Sequence, residues 1–354
     1  TCSFPVVVTG LGPDPANLIA YEPFAYPDPA GTAISQGLAG GLGWSGAWVS
    51  GGFTAAPASA DAYRLSSAVP TFGGLPQAGG ALGAPAFNGA IGGIVRSLAA
   101  PLGADGTTVF VSVVLRPEGT VGEGQSNGFF GVTLNGFTGN DLFFGKPAAG
   151  ALGRYVLQDR SGAGQGASDV DVVAGQPALL VLRADFRRGN DRFMLYVNPP
   201  VSGAEPAAGF EKIDLDLGTI MKLGFYGTGA FTVDELRVGR TFADVASAVR
   251  PRPVVFVVTP SRFGIQGGEE CRLTGQNFFS EDEVWFGNVP AGGVRCTEPG
   301  ELRFVAPALS PGAHALTVRR CGEAVAQMGG LVIVSEGTPE LTGVVSRFVS
   351  EVGN

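Results

Sequence analysis

What most constrains this chain is how its apolar residues are parcelled out. From Leu18 to about Val245 they come in short β-branched or aromatic runs, each stopped by glycine or proline, and no stretch of useful length repeats at the helical period. Strand candidates are Leu18 to Tyr26, Thr108 to Leu115, Gly128 to Leu134, Asp141 to Gly145, Arg154 to Asp159, Ala178 to Asp185, Arg192 to Val197, Lys212 to Leu217, Lys222 to Tyr226 and Phe231 to Val238. Many short strands with frequent turns can bury their apolar faces only by packing sheet on sheet. The expectation is an all-β chain with a large jelly-roll sandwich.

Composition fits. The chain has 57 glycines and 25 prolines, and its 45% apolar content argues against disorder. A formal charge of −8, with lysine only at 146, 212 and 222, provides no cationic footprint, so nucleic acid and anionic lipid are poor partners. No apolar run approaches the roughly 18 to 20 residues a membrane helix needs, so no membrane insertion is expected. A chain that starts at Thr1 reads as a processed, exported protein or as a trimmed one. The favoured location is extracellular or at the cell surface.

The segment Val249-Arg250-Pro251-Arg252-Pro253 reads as a hinge, because alternating prolines fix φ and remove amide donors. A short helix-compatible run, Phe242 to Val249, precedes it. The expected division is an N-terminal strand and linker (1–16), the jelly roll (17–249), a smaller sandwich (250–337) and a short tail (338–354). In the first segment Phe4, Val6, Val7 and Val8 form a strand set apart by glycine and proline. It serves either as an edge strand of its own domain or as a donor strand that completes another subunit. The tail carries Leu341, Val344, Val345, Phe348, Val349 and Val352, a stripe compatible with an amphipathic helix or a strand.

Several motifs carry a resemblance. Tyr21-Glu22-Pro23-Phe24, Gly43-Trp44-Ser45-Gly46-Ala47-Trp48, Val181 to Phe186, Leu195 to Pro199 and the closing Phe231 to Gly239 resemble the concanavalin A-like (LamG-like) jelly-roll domains of bacterial exported surface proteins. The resemblance implies a two-sheet sandwich whose relatives include lectins, glycoside hydrolases and non-catalytic adhesion modules.

Catalysis finds little support. A retaining glycosidase needs two carboxyl groups about 5 to 5.5 Å apart, and the Glu-x-Asp-x-x-Glu string of jelly-roll glucanases does not occur. Asp214 and Asp216 are expected on one outward strand face, with Ile213, Leu215 and Leu217 inward and Glu211 opposite the aspartates. Asp234 and Glu235 are adjacent and expected on opposite faces; Asp234 is read as fixing a turn or backbone amide, with bound calcium as a lesser reading. The single histidine, His314, has no triad partner in view, and the cysteine spacing does not suggest zinc. Gly79-Gly80-Ala81-Leu82-Gly83 is read as a loop. No other cofactor is implied. Glycan binding stays open: Trp44, Trp48, Tyr21 and Tyr26 are candidate stacking rings, while the favoured reading of the two tryptophans is as plugs at the end of the sandwich.

Beyond the hinge, Val254 to Pro260, Gly267 to Phe278, Val284 to Ala291, Leu302 to Pro307, Pro311-Gly312 and Ala315 to Val318 resemble the IPT/TIG family of immunoglobulin-like domains. In extracellular bacterial proteins these imply spacers, stacking modules or adhesion parts. DNA-binding relatives use basic loops that this acidic chain lacks. Tracing the strands of such a domain puts Cys296 and Cys321 at one pole as the internal disulfide candidate and Cys271 at the other. Cys271 and Cys2 then become candidates for a bridge between chains. Four reduced cysteines are the alternative.

The favoured reading is a non-enzymatic structural or adhesive subunit that assembles head-to-tail with itself through its N-terminal strand. The alternative is a carbohydrate-binding, lectin-like surface module that recognises a polysaccharide. A glycoside hydrolase is third.

Overall fold

The computed structural model describes residues 18–26, 28–51, 59–76, 80–84, 92–119, 128–135, 140–159, 164–247, 253–276, 278–279, 282–298, 300–320 and 323–335. Two compact units emerge, one reaching Ser247 and one starting at Pro253. The candidate assembly strand (Phe4, Val6, Val7, Val8), Cys2, Cys321, most of the hinge and the tail lie outside the described residues.

In chain order the first unit holds β1 (Leu18–Glu22), β2 (Trp44–Ser50), β3 (Arg64–Ser66), β4 (Ala81–Ala84), β5 (Gly92–Leu102), β6 (Thr108–Pro117), β7 (Phe130–Leu134), β8 (Leu142–Lys146), β9 (Arg154–Asp159), β10 (Gly166–Asp171), β11 (Ala178–Asp185), β12 (Arg192–Val197), β13 (Phe210–Lys212), β14 (Ile220–Gly227) and β15 (Phe231–Gly239), with α1 at Ser59–Ala62 and α2 at Phe242–Val245. These strands form two antiparallel sheets. One runs β13-β12-β11-β6-β15-β4-β3, and the other β10-β9-β8-β7-β14-β5-β2. On the edge of β15 away from β6, Phe231 to Val233 pair with β4 and Leu236 to Gly239 with β1. The all-β jelly-roll sandwich expected from the strand pattern is present.

Residues alternating along the strands fill the space between the sheets. Val109, Val111, Val113 and Leu115 of β6, and Leu180, Leu182 and Ala184 of β11, belong to this core. Apart from Arg183, their alternates are buried too. Phe242 of α2 meets Phe110 edge-on at 6.3 Å, and Ser112 Oγ donates to Val245 O at 2.8 Å. A sheet covered on both faces reads as a nearly unbroken apolar run, which is why β6 and β11 stand out in the sequence. Phe129, Phe143, Val156 and Tyr226 make a separate apolar cluster with the second sheet. There Phe143 lies over Gly131, where a Cβ would come within 2.6 Å of its Cζ.

Three expectations are corrected in this unit. The strand expected over Lys212 to Leu217 stops at Lys212. Ile213 is 58% exposed while Lys212 is buried, its Nζ 2.7 Å from Asp214, so Ile213 leaves the expected inward row, whereas Leu215 and Leu217 pack on the core and Asp214 and Asp216 face solvent as expected. The string read as a glycine-rich loop contains β4, whose Leu82 is fully buried. Asp234 and Glu235 do not point to opposite faces, because a β-bulge between Asp234 and Arg237 breaks the alternation and holds Glu235 at φ 55°.

The second unit holds β16 (Val254–Thr259), β17 (Arg262–Gly264), β18 (Glu270–Gln276), β19 (Asp282–Phe286), β20 (Val289–Pro290), β21 (Gly292–Glu298), β22 (Glu301–Val305), β23 (Gly312–Arg320) and β24 (Glu323–Ser335). Its sheets run β16-β18-β22-β21 and β17-β24-β23-β19-β20, with β17 and β24 parallel. This is the smaller immunoglobulin-like sandwich. Leu273, Leu302, Phe304, Phe263, Phe286, Leu316 and Val318 form its core. Beside them, Arg320 grips Asp282 through two donors at 2.6 and 2.9 Å, stacked on Phe279 at 4.5 Å. A buried guanidinium needs such a planar acceptor and flat ring.

Candidate ligand-binding site

One group in the first unit combines buried charge with partly buried rings. Glu22, on β1, is 1% exposed and accepts four donors: the Phe24 amide (2.9 Å), Tyr26 Oη (2.8 Å), Trp48 Nε1 (3.1 Å) and Arg96 Nη1. Arg96, on β5 of the opposite sheet, is equally buried, and its Nε donates to Gly46 O at 2.9 Å. Burial pushes the Glu22 carboxyl above its ordinary range, against the pull of Arg96 and the other donors. Burial likewise raises the Tyr26 phenol, with the Glu22 charge adding to it, so Tyr26 remains a donor.

The rings are arranged around this pair. The Arg96 guanidinium lies 5.3 Å from the centroid of the Trp44 ring, and Trp44 Nε1 donates to Tyr21 O at 3.1 Å. Trp48 packs behind it at 6.1 Å, against Phe24 and Phe225. Gly40 and Gly41 leave room for the two outer rings: a Cβ on Gly40 would press on Tyr26 Cε1 at 3.0 Å, and one on Gly41 would stand 3.4 Å from the Trp44 ring. Trp44 and Tyr26 are thereby held half-buried beside one glycine turn.

Of the four candidate stacking rings, two are excluded. Trp48 and Tyr21 are each 2% exposed, so neither presents a face to a sugar; Trp48 is core, as the plug reading has it. The sequence did not single out Glu22 and Arg96 as partners. The available signal was Arg96 itself, a lone charge in the apolar run Ile94-Val95-Arg96-Ser97-Leu98.

The acidic candidates do not form a reactive pair. The Glu235 amide donates to Asp234 Oδ1 at 2.7 Å, and Glu235 accepts from Tyr21 Oη (2.9 Å) and from Arg237 Nη2 (2.6 Å). Asp234 and Glu235 are both fully buried, and Asp234 Oδ2 has no hydrogen-bond partner among the described residues. Burial, then the Glu235 charge, hold the Asp234 carboxyl well above the usual carboxylate range. Asp214 and Asp216 are exposed. No group of three or more His, Cys, Asp or Glu side chains suited to a metal ion occurs among the described residues, so the calcium reading finds no ligand set there. His314 sits on β23 with Nε2 2.8 Å from Ser310 O.

Cys271 is corrected as a linker between chains. It is 3% exposed inside the second sandwich, its Sγ 3.4 Å from Glu269 O, and burial pushes its thiol up to about 12, with the Glu269 charge adding to the shift. Enclosure of the sulfur argues against a bridge to a neighbour's Cys2, which itself lies outside the described residues. Cys296 is half-buried against the same core, and its expected partner Cys321 lies outside the described residues.

In fold, the chain is similar to an auxiliary nutrient binding protein from Bacteroides thetaiotaomicron (22% identity, TM-score 0.20), spanning 24% of this chain and only 21% of that one. It is similar also to the carbohydrate binding module CBM66 from Bacillus subtilis (9% identity over 49% of this chain and 94% of that one, TM-score 0.30). A third likeness is to an endo-1,3-β-glucanase from Streptomyces sioyaensis (11% identity over 66% and 98%, TM-score 0.38). No curated protein matches the sequence. One family model does match: residues 253–332, most of the second unit, correspond to the IPT/TIG domain.

Proposed function

We propose that this chain is a non-catalytic, carbohydrate-binding surface module. In this reading the first unit recognises a polysaccharide through Trp44 and Tyr26, and the IPT/TIG unit spaces or docks it. The observation that carries the proposal is the pair of partly buried rings, Trp44 and Tyr26, at the Gly40-Gly41 turn, fixed from beneath by the Glu22–Arg96 ion pair. Rigid aromatic faces suit sugar rings because they offer apolar area and CH–π contact at little entropic cost. A preorganised site of this kind needs its rings locked before the ligand arrives, which the buried carboxylate does through three side-chain donors.

Burial of Asp234 and Glu235 leaves the first unit without an accessible carboxyl pair at that strand, which favours binding over hydrolysis. The head-to-tail filament is set aside: one half of its covalent link is enclosed in a core. No described helix is long and apolar enough to cross a membrane.

A glycan array followed by calorimetry tests the proposal. Trp44→Ala and Tyr26→Ala should each lower affinity at least tenfold while Trp44→Phe keeps most of it. If neither alanine variant weakens the binding of any neutral or acidic glycan, or if no glycan binds, the proposal is overturned.

A further inference from the structure

The four-stranded sheet of the IPT/TIG unit carries an unusual row. Cross-strand pairing sets Thr259 opposite Arg272, Arg272 opposite Arg303, and Arg303 opposite Arg295, so three guanidinium groups stand on three consecutive strands. Neighbouring strands lie about 4.8 Å apart, and like charges placed directly opposite destabilise a sheet. This row persists in a chain of net charge −8. Two carboxylates ease it. Glu301, 4% exposed, bridges Arg272 and Arg303, the latter at 2.7 Å. The hydrogen bonds from Arg303 and Thr297 hold its carboxyl below the ordinary range although burial opposes them. Glu270, its side chain 81% exposed, reaches Arg295 only at 3.9 Å. Arg272 and Arg295 keep 55% and 61% of their side-chain surface in solvent. A groove of about 280 Å³ opens along the row, lined also by Gly293 and Val305.

We propose that this groove binds carboxylate groups of an acidic polysaccharide, with Arg295 and Arg303 as the principal contacts. The ligand class rests on the saccharide reading above; the site does not. Guanidinium groups match planar carboxylates through paired donors, and Glu301 already bridges two of these arginines from within the sheet, one oxygen to each. Exposed and at the edge of contact, Glu270 occupies the position a ligand carboxylate would take over. The charge balance of the described face, three arginines against two glutamates, suits a ligand of spaced single charges.

The test uses the full chain with sodium polygalacturonate, the same polymer methyl-esterified, and oligo-dT, each titrated calorimetrically at low and physiological salt. Polygalacturonate should bind and weaken with salt, and the ester should not bind. Arg295→Gln and Arg303→Gln should each lower affinity about tenfold, and Glu270→Gln should raise it several-fold, a gain that unfolding cannot mimic. The arginine effects should persist in Trp44→Ala. Equal binding of the ester, no binding of polygalacturonate, or oligo-dT binding as tightly with the same arginine dependence would each overturn the assignment. Should the array show Trp44-dependent binding while the arginine variants change nothing, only this inference fails.

Discussion

Arg96 on β5 and Glu22 on β1 form an ion pair with both side chains 1% exposed, and since the strands belong to different sheets, the pair stitches the first sandwich together. Its worth lies less in net stability than in what its loss leaves behind: a charge in a core with no counterion.

Arg96→Met should therefore destabilise the first unit by about 3–5 kcal/mol, with a red shift of tryptophan emission as Trp44 and Trp48 lose their support. Glu22→Gln in the same chain should restore much of that. Urea unfolding followed by fluorescence measures both. A double variant no more stable than Arg96→Met would contradict the coupling.

Asp234 gives the first unit an acid-favoured contribution to its stability. Its folded pKa lies above the ordinary 3.8, so the folded chain holds a proton that the unfolded chain releases. That contribution is complete below about pH 3.8 and fades as pH rises toward the folded value, at up to about 1.4 kcal/mol per pH unit. Glu22 shifts in the same direction and Glu301, in the second unit, in the opposite one. Asp234→Asn keeps an acceptor for the Glu235 amide and should flatten the decline in a stability profile taken between pH 4 and 8. An unchanged slope would remove Asp234 as its source.

Cys271 should resist alkylation in the folded protein at pH 8, because its thiol is enclosed and raised to about 12. Intact-mass analysis after iodoacetamide, with and without urea, reads this directly. Disulfide-linked oligomers that vanish in Cys271→Ala would restore the covalent assembly reading.

Gly43→Ala probes how Trp44 is placed. Gly43 has φ +79°, and a Cβ there would run into the Ile19 carbonyl oxygen. Left-handed backbone alone costs a non-glycine residue about 1–2 kcal/mol, so a loss of at least about 2 kcal/mol is expected, together with weakened glycan binding. Calorimetric melting and binding, run on the same sample, check both.

Where a strand is covered on both faces, as β6, β11 and β12 are, its residues alone mark it, and the last two keep their expected bounds. β2 and β5 were not legible as strands. Trp44-Ser45-Gly46-Ala47-Trp48 looks like a loop because its glycine and serine face solvent, and β5 combines Gly92-Gly93 with a charge whose partner lies on a distant strand. The bulge at Glu235 was equally hidden, since nothing local announces a positive φ at a glutamate. In the second unit the glycine pair and turn residues mark the fold, whereas the arginine row arises only when strands distant in sequence come into register. The site at Trp44 was half legible: aromatic residues show in a sequence, but which of them are enclosed depends on the opposing sheet.

The hydrogen bond from Tyr21 to Glu235 spans 214 residues, and this has a temporal consequence. At ribosomal rates of about 5–20 residues per second, β1 emerges roughly 10–40 s before the strand it must pair with. For that interval the beginning of the chain has no native sheet to join, and its Leu-Ile-Ala-Tyr run must be kept from other edges. The first sandwich closes from its last strand back to its first, so it completes its fold only after almost all of it has been synthesised, and any truncation before β15 leaves β1 without a place.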